Sequence, residues 1–309
     1  MSALILAPME GLTDVHMRHV LTQISRYDWC VSEFLRITDQ LLPASCFLNH
    51  CPELAHGSRT VNGTPVHLQL LGSEPEVMAE NAERAAKLGA AGIDINFGCP
   101  AKTVNRHRGG AALLGESALM HDIVASVRQA VPEGTPVSAK IRLGIADSSA
   151  LLENADAIHS AGASWLTIHG RTRAQGYRPP VDWQAIGRVS SRYPDWRIIA
   201  NGDIGSAAAA ALCREESGCD DLMLGRAAVS EPDLVQRLRE PGLPALDWPA
   251  VHAWQMVFLQ RMQGSEAGIV GRYKQWLGMT ALVYAEAAEQ FQRVKRAKRI
   301  AEVTAAVGT

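Results

Sequence analysis

The chain has 309 residues, 47% hydrophobic and 20% charged, an ordinary globular mixture that can bury a large core without disulfides or metal. Its formal net charge of −2 excludes a uniformly basic protein, yet residues 243–309 carry 8 Lys and Arg against 5 Asp and Glu, while residues 1–242 carry 22 against 27. A local positive excess of this kind points weakly to an acidic partner, because nucleic-acid affinity depends on local rather than average charge.

The first apolar run, Leu4-Ile5-Leu6-Ala7, is too short for a secretory signal and is interrupted by Pro8. No run reaches the ~18 residues needed to span a membrane. The six cysteines, Cys30, Cys46, Cys51, Cys99, Cys213 and Cys219, form no CxxC pair and no metal spacing. A reducing cytoplasm without a bound metal is therefore expected. Nothing in the sequence suggests an obligate dimer, and a monomer is expected.

Short apolar runs predict strands at residues 4–7, 29–33, 66–71, 92–96, 137–141, 165–169, 197–200 and 220–224. Helical patterning falls between them at 74–88, 117–130, 151–161, 183–191 and 206–216. Strands apolar on both faces, alternating regularly with helices, predict a parallel sheet covered by helices. Eight such units fit a (β/α)8 TIM barrel over residues 1–242. The competing arrangement is an open Rossmann-like sheet, which the absence of GxGxxG after the first strand disfavours. Pro241-Gly242-Leu243-Pro244 then breaks the pattern. Helices predicted at 250–262, 269–288 and 289–307 make residues 243–309 a small helical domain.

In such a barrel the active site is built by the loops after the strands. Pro8, Met9 and Glu10 follow strand 1, Arg36 follows strand 2, and Gln69 lies on strand 3. Asn96 and Cys99 follow strand 4, Lys140 ends strand 5, and His169 ends strand 6. Asn201-Gly202-Asp203 and Gly225-Arg226 follow strands 7 and 8, each placing glycine just before a helix. Backbone N–H groups can there approach a phosphate, with Arg226 adding charge, although ordinary turn chemistry would look the same. A flavin ring would need positive charge and hydrogen bonds on its pyrimidine edge, and Lys140 and Gln69 suit that need. His169 reads equally well as a satisfied core imidazole. The stretch from Gly98 to Gly110 joins the Cys99 thiol to glycines and to Lys102, Arg106, His107 and Arg108. A thiol that is mostly protonated at neutral pH can donate a proton, but an inert buried thiol is the default for any lone cysteine.

Taken together, Ala7-Pro8-Met9-Glu10-Gly11, His67-Leu68-Gln69-Leu70-Leu71-Gly72, Asn96-Phe97-Gly98-Cys99-Pro100-Ala101-Lys102-Thr103-Val104, His169-Gly170-Arg171-Thr172-Arg173, Asn201-Gly202-Asp203-Ile204 and Met223-Leu224-Gly225-Arg226 resemble the tRNA-dihydrouridine synthases. They stand in family order across the whole barrel. Glu10, Cys51-Pro52-Glu53-Leu54 and Lys274-Gln275-Trp276-Leu277 are similar to the bacterial branch acting on uridine 16 of the tRNA D-loop. Phe97 departs from the methionine that many relatives carry.

The resemblance implies non-covalent FMN, reduced by NADPH (or NADH), with hydride passing to C6 of uracil and Cys99 protonating C5. Pro8, Met9, Glu10, Gln69 and Lys140 would hold the flavin ring, with His169 beside it. Asn201, Gly202, Asp203, Gly225 and Arg226 would take the phosphate. Asn96 would face the uracil, and Arg36 and Tyr177 would shape its pocket. Arg106, Arg108, Arg272, Lys274, Arg293, Lys295, Arg296, Lys298 and Arg299 are candidates for docking tRNA phosphates, the last five on one final helix. Three other functions compete: an FMN-dependent reductase of a small pyrimidine or enone, a phosphate-binding isomerase or aldolase using Lys140, and an RNA-binding protein with a structural flavin.

Overall fold

A computed structural model describes residues 2–101 and 109–307. The candidates Arg106 and Arg108, with Lys102 and His107, lie outside the described residues. Eight parallel strands close into a barrel in chain order: β1 (Leu4–Leu6), β2 (Trp29–Arg36), β3 (Val66–Leu71), β4 (Ile93–Asn96), β5 (Val137–Arg142), β6 (Trp165–His169), β7 (Arg197–Asn201) and β8 (Asp221–Leu224). Pairing of β8 with β1 completes the ring and rules out the open sheet. β2 runs on to Arg36 through a register shift between Val31 and Phe34.

Helices fill the crossovers. α1 (Val15–Ile24) and α2 (Ala44–His50) follow β1 and β2, and α3 (Pro75–Lys87) follows β3. α4 (Ser117–Ala130), α5 (Leu151–Ser160), α6 (Trp183–Arg192) and α7 (Ala207–Ser217) follow β4 to β7 in turn. The short α8 (Arg226–Ser230) and α9 (Leu234–Arg239) follow β8. Side-chain oxygens of Asp14, Asp182 and Ser206 accept N–H groups from the first turns of α1, α6 and α7, which fixes where those helices begin.

Alternation along the strands separates an outer core from an inner one. Leu68, Ile93, Ile95, Ala139, Ile141, Leu166 and Ile168 belong to the large core shared with the helices. Ile5, Ala7, Trp29, Val31, Trp165, Ile199 and Met223 form a separate, smaller cluster. Trp29 and Trp165 flank His67 there, with ring centroids 5.5 Å away on each side. The expectation of strands apolar on both faces therefore fails on the middle strands. Their other face carries the buried polar residues Gln69, Asp94, Asn96, Ser138, Thr167 and His169, together with Lys140. Closure makes this face the floor of a cavity, where polar groups can pair with one another across strands.

The tail holds α10 (Trp248–Arg261), α11 (Glu266–Thr280), α12 (Ala285–Val294) and α13 (Ile300–Val307), four helices where the sequence predicts three. The expected break at 288–289 is replaced by two, at 281–284 and 295–299, each held by hydrogen bonds. Thr280 is buried, accepts a hydrogen bond from Gln255 Nε2 at 3.0 Å and offers its carbonyl to the Val283 and Tyr284 N–H groups. After α12, the Lys274 ammonium donates to the Lys295 and Ala297 carbonyls, and Glu302 accepts the Lys298 N–H. Arg293 therefore lies near the end of α12, while Lys295, Arg296, Lys298 and Arg299 sit in the turn beyond it rather than on one helix. The tail has its own core around Leu259, Tyr273 and Leu277, whereas Phe258 and Trp276 join the barrel core. Trp276 Nε1 donates to the Val229 carbonyl at 2.9 Å, and Arg272 grips Asp14 and the Gly11 and Leu12 carbonyls. Among the described residues, no helix is long and apolar enough to cross a membrane.

Candidate active site

A cavity of about 500 Å³ opens where the strands end. Pro8, Met9 and Glu10 line it from the loop after β1, Gln69 from β3, Asn96 and Cys99 from β4 and its loop, and Lys140 from β5. His169, Tyr177, Asn201, Gly202, Asp203, Gly225 and Arg226 complete the far wall. Strand register explains the convergence: Asn96 pairs with Lys140, His169 with Asn201, and Asn201 with Met223. Arg36 is not on the wall, although its charge reaches both Glu10 and Cys99. Arg272, Lys274, Arg293 and Lys295 lie on the tail, away from the lining.

Cations and carboxylates share the cavity wall, Lys140, Arg142 and Arg226 standing with Glu10, Glu33, Asp203 and Glu231. Burial, and then the nearby Arg142, push Lys140 down to about 8, against the pull of Asp94. Its ammonium donates to Asn201 Oδ1 at 3.0 Å, and Asn201 Nδ2 donates to the Met223 carbonyl at 2.8 Å. Burial, followed by the charges of Lys140, Arg142, Arg171 and Arg226, drives His169 far below the ordinary imidazole range. The ring is therefore neutral and able to donate from one nitrogen and accept at the other. Among these cations stands Asp203, whose carboxylate is taken by Arg171 and by Arg226. Gly202 has φ +121°, and a side chain there would lie 2.9 Å from Val181 and 3.0 Å from the His169 ring. Only glycine lets that backbone run so close to the cavity wall.

The Cys99 turn is held from behind. Asn96 Oδ1 accepts the N–H groups of Gly98 and Cys99, each at 2.9 Å. Arg142 Nε donates to the Gly98 carbonyl at 2.8 Å, and its Nη1 donates to the Thr172 and Gly176 carbonyls. Burial pushes the Cys99 thiol up from its ordinary value, so it keeps its proton at neutral pH. Tyr177, 57% exposed, lies between the guanidinium groups of Arg142 and Arg226 at 5.3 and 5.0 Å.

Several wall residues escape the sequence analysis as site residues. Arg142 ends β5 on the wall, and Arg171, behind it, stands in a quoted motif, but their carbonyl and carboxylate partners are distant in sequence. Glu33 and Phe34 arrive through the register shift in β2. Met279 comes from the last turn of α11, and Leu282 and Val283 from the break between α11 and α12, which local sequence does not signal. Leu282 is 79% exposed at the cavity rim. Among the described residues, no cluster of His, Cys, Asp or Glu could hold a metal ion.

A closed parallel barrel whose cavity carries Lys140, Arg226, a protonated thiol and glycine turns after β7 and β8 defines a barrel enzyme. The family model "Dihydrouridine synthase (Dus)" matches residues 5–299, and the chain belongs to that family of oxidoreductases. The tRNA-dihydrouridine(16) synthase of Salmonella typhimurium is 45% identical over 308 residues, covering 98% of this chain and 97% of its own. Its namesake from Shewanella oneidensis is 46% identical over 301 residues, covering 97% and 95%. Among solved structures, TcOYE with pHBA aligns with a TM-score of 0.58 at 13% identity, covering 85% of this chain and 96% of that one, a likeness of fold alone.

Proposed function

We propose that this protein reduces uridine 16 in the D-loop of tRNA to 5,6-dihydrouridine, using non-covalently bound FMN and NADPH (or NADH). The observation that carries this reading is one cavity in which a protonated thiol, Cys99, shares the wall with Lys140 and the Gly202 and Gly225–Arg226 turns. The namesakes above are similar across nearly the whole chain, which supports the same target. A small-molecule reductase would share the cavity but would leave the exposed cations of the tail without a role.

The residues present fit a flavin mononucleotide. Gly202 lets the backbone pack against Val181 and the His169 ring on the cavity wall, and Arg226 offers a half-exposed guanidinium. Asp203 would contribute its N–H, since its carboxylate is occupied in holding Arg226 and Arg171. Lys140 would put positive charge against the ring's pyrimidine edge. Gln69 Nε2 spends one proton on Asp94 and keeps a second for the same edge. Pro8, Met9 and Glu10 would bracket the opposite side, and neutral His169 would add a donor or acceptor.

Bound FMN would supply a hydride for C6 of the uracil. Cys99 Sγ–H gives its proton to C5 as the C5=C6 double bond is consumed, and the thiolate then regains a proton from water. The uridine must swing out of the D-loop to reach this cavity. Asn96, with the second proton of its amide, would meet the uracil, while Tyr177 would bound its pocket and Arg36, off the wall, would act through its charge. Residues 1–242 would carry the chemistry and residues 243–309 the docking of tRNA. Exposed Arg293 and Lys295 would meet phosphates directly. Arg272 and Lys274 would act by fixing the tail, since their donors are engaged within the protein. We read the enzyme as a cytoplasmic monomer, in keeping with its buried thiols at Cys30, Cys51, Cys213 and Cys219.

Mapping dihydrouridine in tRNA from cells lacking the gene tests this reading. Loss at position 16 alone is expected, and an unchanged map would overturn it.

A further inference from the structure

Behind Cys99 runs a chain of buried hydrogen bonds with a fixed direction. Ser138 Oγ donates to Asp94 Oδ1 at 2.6 Å, and Gln69 Nε2 donates to Asp94 Oδ2 at 2.6 Å. Asn96 Nδ2 donates to Gln69 Oε1 at 2.8 Å, and Asn96 Oδ1 accepts from the Gly98 and Cys99 backbone at 2.9 Å. Asp94 is 1% exposed and Gln69 is fully buried, so water does not compete for these groups. Strand register sets Gln69 opposite Asp94 and Asp94 opposite Ser138, which brings the links together.

The two ends of an amide group are nearly equal in size, so packing alone barely distinguishes them. Partner chemistry decides the orientation. An ionised carboxylate accepts only, and it draws Gln69 Nε2 towards itself. Gln69 Oε1 must then face Asn96, whose Nδ2 turns to meet it, leaving Asn96 Oδ1 for the turn. Reversing Asn96 would set donor against donor at Gly98 and Cys99, and reversing Gln69 would set oxygen against Asp94 and donor against Asn96, buried mismatches costing about 1–3 kcal/mol per unsatisfied group. We propose that Asp94, which does not itself line the cavity, is a positioning residue that orients the Gln69 and Asn96 amides and so holds the Cys99 turn. Burial is the largest influence on Asp94 and pushes its carboxyl up, while the hydrogen bonds from Gln69 and Ser138 and the charge of Lys140 act the other way and favour the ionised form.

The inference rests on Cys99 being the proton donor, so its test includes a readout independent of turnover. In the FMN-loaded protein, Asp94→Leu removes the fixed acceptor, whereas Asp94→Asn can still accept from Gln69 while its amino group turns to Ser138 Oγ. Alkylation of Cys99 by iodoacetamide, followed by peptide mass spectrometry, reports how firmly the turn is held. Asp94→Leu should alkylate several-fold faster, and Asp94→Asn at close to the wild-type rate. NADPH should bleach the flavin at the wild-type rate in both, while reoxidation by tRNA should slow at least about tenfold in Asp94→Leu, part of what a positioned acid contributes. Wild-type alkylation and reoxidation in Asp94→Leu would overturn the proposal. Where leucine prevents folding, Ser138→Ala is read in the same assays: faster alkylation is expected, and unchanged alkylation together with unchanged reoxidation again overturns it. Failure of the Cys99 reading itself looks different, because Cys99→Ala would then turn over normally while the Asp94 variants still altered alkylation.

Discussion

A thiol that serves as an acid must keep its proton until the substrate arrives. Burial gives Cys99 that property, raising its pKa despite the hydrogen bond from the Ala101 N–H. Replacing the thiol removes the donor and little else. Cys99→Ala is therefore expected to bind FMN and tRNA normally and to reduce uridine about 10²–10⁴-fold more slowly, the usual worth of a general acid. Unimpaired turnover on natural tRNA would take Cys99 out of the chemistry. Lys140 makes a prediction of opposite sense. Its ammonium, lowered to about 8, is charged below that pH and neutral above it. Affinity for an anionic flavin should then weaken as pH climbs through about 8, and Lys140→Met should bind more weakly at all pH with this dependence gone. Titrations of apo-protein with FMN at about pH 7 and about pH 9 decide it, because Lys140 is the group that changes charge between them. Identical dependence in both proteins would place the titrating group elsewhere.

Secondary structure shows which parts of this site were legible in the sequence. The eight strands stand close to where short apolar runs put them, because outward positions such as Ile93, Ile95, Ile141 and Ile168 must fill the core beneath the helices. Inward positions that face the cavity escape the apolar rule followed by the inner cluster of Ile5, Trp29, Val31 and Trp165, and Gln69, Lys140, His169 and Asn201 are recognisable for that reason. Their partners are not. Whether Asn96 points its oxygen at the Cys99 turn depends on Gln69 and Asp94 from neighbouring strands, which sequence spacing does not encode. The tail gives the other lesson: 269–288 reads as continuous helix because no Gly or Pro marks the break that buried Thr280 imposes. That break delivers Leu282, 79% exposed, and Val283 to the cavity rim. An aliphatic pair facing solvent at the mouth suits contact with the uracil or a neighbouring base. Leu282→Asp should raise the KM for tRNA about tenfold, the worth of burying one such side chain, and leave reduction of FMN by NADPH unchanged. An unaltered KM would make the rim an idle surface.

At the scale of the whole molecule, charge divides labour between the two parts. The barrel part, with 22 basic against 27 acidic residues, gathers its cations inward at Lys140, Arg142, Arg171 and Arg226, where Asp203 and Asp94 balance them locally. The tail turns its excess outward: Arg293, Lys295 and Arg296 are all exposed around the end of α12. Trp276 and Arg272 fasten the tail to the barrel beside the loop that carries Met9 and Glu10, so a tRNA held by the tail is also held in register with the cavity. Every phosphate neutralised by a side chain releases counterions, and log K falls with log salt by roughly 0.7–0.9 per contact. Changing Arg293, Lys295 and Arg296 together to Gln should flatten that slope by about 2 to 3, weaken tRNA binding at low salt and leave FMN affinity untouched. Arg272→Gln should behave differently, lowering thermal stability and catalytic efficiency with little change in slope, because its guanidinium is already engaged by Asp14 and two carbonyls. A slope that drops with Arg272 and stays constant in the triple variant would move the docking surface from the end of α12 to the seam between tail and barrel.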